Sequence, residues 1–132
     1  MPRYVSVPDA APPPPSAHYS HAVEAQGFLH VTGQLPIDPD DPGAPVPDGI
    51  EAQTELVFLN LHRIVKAAGY SLEDTVFARI YLTRFEEDYA CLNGVYHRYF
   101  DDPARMPART TVGVARLGRD ARVEIDLVLS RA

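Results

Sequence analysis

Arg109 and Glu124 are the two residues whose types and surroundings best suggest chemistry. Arg109 stands in Pro107-Ala108-Arg109-Thr110-Thr111-Val112, and Glu124 in Val123-Glu124-Ile125-Asp126. A guanidinium grips both oxygens of a carboxylate with a planar fork and stays charged at any physiological pH. A carboxylate in a partly apolar run can hold a water and accept its proton. Arg109 opens one strand and is expected to face, across a short turn, the strand that carries Glu124 inside its apolar run. Each also has a plainer reading: Arg109 as a solvated strand residue, Glu124 as the ion-pair partner of Arg122 or Arg109.

Other chemistries find little support. His18 and His21 are three apart in an extended segment and point to opposite faces. His30, His62 and His97 lie on separate elements without HExxH-type spacing, so no metal site is expected. Cys91 is the single cysteine, which rules out an intrachain disulfide. Its place between Ala90 and Leu92 suggests a small buried hydrophobe rather than a nucleophile. No serine has a nucleophile-elbow context, and Gly27, Gly33 and Gly43 lack phosphate-loop spacing. No cofactor is therefore expected. A net charge of −6 disfavours polyphosphate and argues against nucleic-acid binding.

These residues must be positioned by one domain spanning 1–132, since 132 residues suffice for a single core. No stretch approaches the roughly 20 apolar residues that span a bilayer. Met1-Pro2-Arg3-Tyr4-Val5 lacks the apolar core of a secretory signal, and a cytoplasmic location is expected. Tyr4–Val7 predicts a short edge strand, and Ser20–Gln26 and Phe28–Thr32 predict two strands around a tight turn at Gly27. Ile50, Thr54, Val57, Leu61, Ile64, Val65 and Ala68 recur at helical spacing, with Gly69 as a stop. Asp74–Thr83 is apolar on both faces, as a central strand would be. Phe85, Tyr89, Leu92, Tyr96 and Tyr99 form a second helical stripe. Arg109–Leu117 and Arg122–Arg131 predict two final strands joined by a hairpin-like turn at Gly118-Arg119-Asp120. The Pro12–Pro15 run and the Pro36–Pro47 stretch are expected as stiff loops. The order β-β-β-α-β-α-β-β gives an α+β domain with both helices on one face of a mixed sheet. The uncovered face then invites self-association.

Four segments, in order, resemble the reactive-intermediate deaminase (Rid, or YjgF) family across nearly the whole chain. They are Ala17-His18-Tyr19-Ser20-His21-Ala22, Val31-Thr32-Gly33-Gln34-Leu35-Pro36-Ile37-Asp38-Pro39, Leu92-Asn93-Gly94-Val95-Tyr96-His97-Arg98-Tyr99-Phe100, and Pro107–Val112 with Val123–Asp126. The resemblance implies a chorismate-mutase-like homotrimer with clefts between subunits. It also implies a 2-iminobutanoate/2-iminopropanoate deaminase-type activity, hydrolysing 2-imino and 2-enamino acids to 2-keto acids and ammonia. In that picture Arg109 binds the substrate carboxylate, Glu124 orients the water, and Tyr19, Gly33, Asn93 and Thr111 border the cleft. Thr111 stands where members often carry cysteine. Ala17-His18 replaces a Gly-Pro, and the Asp38–Gly49 loop is long. Two alternatives share these residues: a non-catalytic trimer binding small carboxylates, and a pathway-specific enzyme whose altered loops admit a larger or aromatic substrate.

Overall fold

A computed structural model describes residues 1–131. The elements are β1 (Arg3–Val5), β2 (Ala22–Ala25), β3 (Phe28–Gln34), α1 (Ile50–Ala67), β4 (Thr75–Leu82), α2 (Phe85–Tyr99), β5 (Ala108–Gly113) and β6 (Val123–Ser130). The β-β-β-α-β-α-β-β order matches the sequence reading. The strands form one mixed sheet in the order β1-β2-β3-β6-β4-β5, in which only β4 and β5 run parallel.

The turn between β2 and β3 is tight because Gln26 and Gly27 both take positive φ (52° and 81°), which suits the twist of a two-residue hairpin. α1 stops where Gly69 reaches φ 85°. There Gly69 N–H donates to Lys66 O and Tyr70 N–H to Val65 O, a Schellman arrangement only a left-handed residue permits cheaply. Period-2 alternation sends Ala78, Ile80, Leu82, Val123, Ile125, Leu127, Leu29 and Val31 toward the helices, where all are buried. From α1, Val57, Phe58, Leu61 and Ile64 complete this core. Phe58 stacks on Tyr99 with ring centroids 4.1 Å apart.

Two expectations are corrected. The last two strands do not form a hairpin: β4 lies between them, pairing with both β5 and β6. β5 already ends at Gly113 and β6 starts at Val123, so the connection is long enough to pass across the end of β4. Gly118–Asp120 forms a short 3-10 turn within it. Cys91 is exposed rather than buried. α2 turns Leu92, Val95 and Tyr96 inward, and one residue before Leu92 the helix has rotated about 100° toward solvent. Among the described residues, no helix is long and apolar enough to cross a membrane.

Candidate active site

β5 is an edge strand, and its Arg109 pairs with the fully buried Ala78 of β4. Paired residues on neighbouring strands share a face, so Arg109 and Thr111 both project toward α2. The half-buried Arg109 side chain is held on three sides. Nε donates to Thr111 Oγ1 at 2.8 Å, and Nη2 donates to Asn93 Oδ1 at 2.6 Å. Its guanidinium carbon lies 4.6 Å from the ring centre of Tyr96 and 5.7 Å from that of Tyr89. Such cation–π contacts and neutral acceptors orient the group without neutralising it.

The other arginines that carry side-chain hydrogen bonds to side chains meet acids. Arg3 pairs with Glu24, Arg79 with Asp126, Arg98 with Glu55, and Arg122 with Asp88. Among the described residues, no carboxylate lies within salt-bridge distance of Arg109. The Nε–Nη2 edge is occupied, which leaves the Nη1–Nη2 end free. That end offers two parallel N–H groups, the fork that matches a carboxylate.

Glu124 belongs to a second cluster. It pairs with Tyr81, three residues along β4 from Ala78, and therefore projects from the face that no helix covers. Arg109 and Glu124 of one chain thus lie on opposite faces of the sheet, about 10 Å apart along the strands. This corrects the expectation that they confront each other across a turn: that picture needed β5 and β6 to be neighbours. Arg122 does not claim Glu124 either, because it pairs with Asp88 at 2.5 and 2.9 Å. No hydrogen-bond partner for Glu124 is present among the described residues.

Glu124 packs against Gly33. A methyl group there would stand 2.1 Å from Glu124 Oε2, an impossible contact. Gly33 sits at a bulge, where the β3–β6 register jumps from Val31↔Leu127 to Gln34↔Ile125. Burial pushes the Glu124 carboxyl above its ordinary value, and the charge of Asp126 adds to the shift. Tyr19 lies close enough to feel that carboxylate: burial first, then Glu124, raises its phenol. Asp126 is itself engaged by Arg79 Nε at 2.8 Å and by the Tyr81 hydroxyl at 3.0 Å. Glu124 is therefore the carboxylate left to meet water. Gly33→Ala is expected to displace it and to lower any activity that depends on the Glu124 carboxylate about tenfold or more, since misplacing a reacting group by about 1 Å costs up to 10²-fold. Steady-state kinetics beside an unchanged circular dichroism spectrum would check this.

The geometry divides the six expected residues into two groups: Arg109, Thr111 and Asn93 in one, Glu124, Gly33 and Tyr19 in the other. Over residues 9–130 the chain matches the family model described as endoribonuclease L-PSP. The 3-aminoacrylate deaminase RutC of Acinetobacter baylyi is 38% identical over 125 residues, covering 95% of both chains. The structure of RidA from an Antarctic Psychrobacter superposes with a TM-score of 0.87 at 35% identity, covering 98% of this chain and 99% of that one. The chain belongs to the Rid (YjgF) family. The structure of E. coli TdcF with bound serine superposes with a TM-score of 0.88 at 28% identity, covering 98% of this chain and 99% of its own.

Within this Rid protein, sequence reading missed Tyr89 and Tyr96. Their signal was present: Tyr89, Asn93 and Tyr96 stand at i, i+4 and i+7 on α2 and so share one face. His21 is buried. Its Nδ1 accepts from Val7 N–H and its Nε2 donates to Ala11 O, both at 2.8 Å. The other four histidines are exposed.

Proposed function

We propose that this protein hydrolyses reactive 2-imino and 2-enamino acids to 2-keto acids and ammonia, in clefts between the subunits of a homotrimer. The observation that carries the reading is a preorganised arginine fork with no acid of its own, on the sheet face opposite an unpartnered, partly desolvated glutamate. One copy cannot bring both to one small molecule. Two copies can, because Arg109 lies on the edge strand and Glu124 on the open face that a neighbour would cover. That face carries exposed Phe28 and Val112 together with Tyr4, Val23, Phe77 and Val128, an apolar band suited to self-association. The RutC relative named a 3-aminoacrylate deaminase and the serine bound to TdcF, an amino acid with a carboxylate, both support a small acid as substrate.

The chemistry asks little of the protein beyond placement. A 2-iminium acid is already electrophilic at its C=N carbon. Arg109 of one subunit binds the substrate carboxylate, while Glu124 of the neighbour takes a proton from water as the oxygen bonds to that carbon. The C=N π electrons pass to nitrogen. Glu124 then returns its proton to the nitrogen of the aminol and, as a carboxylate again, takes the hydroxyl proton while the C–N bond breaks, so that the carbonyl forms and ammonia leaves. Tyr19 and Gly33 border the water on the glutamate side, and Asn93 and Thr111 hold the arginine. The test is to generate 2-iminopropionate or 2-iminobutyrate in situ with an amino-acid oxidase and trap unreacted imine with semicarbazide. Faster keto-acid release with the protein supports hydrolysis; no acceleration with any imino acid contradicts it.

A further inference from the structure

Beside the Tyr19–Gly33 cluster lies a recess of about 310 Å³. It is roughly twice the ~150 Å³ of a cavity that admits a benzene molecule. Val7, Ala10, Pro12 and Pro13 form one side, and Pro39 and Pro42 the other. Tyr19, His21 and Pro12 line this recess and also a small cleft of about 20 Å³ at Gly33, so the recess adjoins the Gly33 side of the site. No carboxylate, lysine or arginine lines the recess. His21, its one titratable neighbour apart from the Tyr19 phenol, has both ring nitrogens engaged by backbone.

Both walls are braced. The buried Asn60 of α1 accepts from Ala11 N–H and donates to Ile37 O, each at 2.8 Å, and so ties the N-terminal proline segment to the second proline loop. Arg63 donates to Asp9 O and to the Asp40 carboxylate, joining the same two segments. Arg119, held at φ 62°, donates to Pro42 O at 3.1 Å and Ala44 O at 2.8 Å. Proline restricts each wall further by fixing φ. The recess is therefore formed before any ligand arrives, and an apolar group entering it has little ordering left to do.

We infer that this recess is the subsite for the substrate's side chain, and that the preferred substrates are 2-imino acids with bulky apolar side chains, branched or aromatic. The inference rests on the imine-hydrolase reading for the reaction, and on the shared Tyr19, His21 and Pro12 for the connection to the site. With imines generated in situ, kcat/KM for those derived from leucine or phenylalanine should exceed that for 2-iminopropionate by about 10–100-fold. Ser6 stands exposed at the rim. Ser6→Trp should fill the recess and lower that ratio about tenfold. A wild-type ratio near one, or a ratio that Ser6→Trp leaves unchanged, overturns the subsite. Calorimetry with the Glu124→Gln protein separates the two readings: 3-phenylpyruvate should bind about tenfold tighter than pyruvate whether or not imines are turned over. Equal affinities overturn the subsite. Retained binding preference without imine turnover by the wild-type protein overturns only the hydrolase reading.

Discussion

Arg109→Ala is expected to lower kcat/KM for imine hydrolysis about 10²–10³-fold, because removing one partner of a hydrogen-bonded charge pair costs roughly 2–5 kcal/mol. The fold should tolerate the change. Arg109 touches Asn93, Thr111 and two tyrosine rings, and no acid is left uncompensated when it goes. Asn93 and Thr111 are half-buried and can turn to water. Arg109→Lys should recover no more than about tenfold, since an ammonium cannot present a planar fork while also satisfying Asn93 and Thr111. Kinetics on 2-iminopropionate with a thermal melt for each variant checks both statements. Activity within a few-fold of wild type in Arg109→Ala would remove the carboxylate anchor from the account.

Glu124→Gln should lower kcat about 10²–10⁴-fold, the contribution typical of a positioned base. It should also stabilise the protein at neutral pH. The carboxyl is held above its ordinary value by burial and then by the Asp126 charge, so the fold prefers the protonated form. The stability associated with Glu124 is then complete below the unfolded value of about 4.3 and is lost as pH rises through the higher folded value. Glutamine escapes that loss. The variant's melting temperature should exceed wild type by a few degrees at pH 8, and the two should converge near pH 4. In the wild type, the acid limb of kcat/KM should fall at a pH above the usual carboxylate range. A variant less stable than wild type at pH 8 would show Glu124 to be a structural partner instead.

Much of this was legible in the sequence, for definable reasons. The helical stripe from Ile50 and the stop at Gly69 reflect local geometry, so both appear in the structure as read. The Arg109 and Glu124 segments were legible as motifs. Their relation in space was not, because the strand order β6-β4-β5 depends on long-range pairing that no local pattern encodes. An assumed hairpin put the two side chains face to face; the observed parallel β4–β5 pairing puts them on opposite faces. Cys91 illustrates the same limit on a smaller scale: a stripe predicts which residues face inward, yet one step around the helix changes burial entirely. The proline segments were legible as stiff loops. The recess between them was not, since it depends on Asn60, Arg63, His21 and Arg119 reaching backbone groups 10 to 77 residues away in sequence.

In the proposed trimer a complete site takes Arg109 from one subunit and Glu124 from its neighbour. Mixing the inactive Arg109→Ala and Glu124→Gln proteins, dissociating them and reassembling them together tests it directly. Random co-assembly into trimers gives about one intact cleft in four, so roughly a quarter of wild-type activity should return. If both groups served one site within a single chain, no mixed assembly would contain an intact site, and activity would stay at the level of the separate variants.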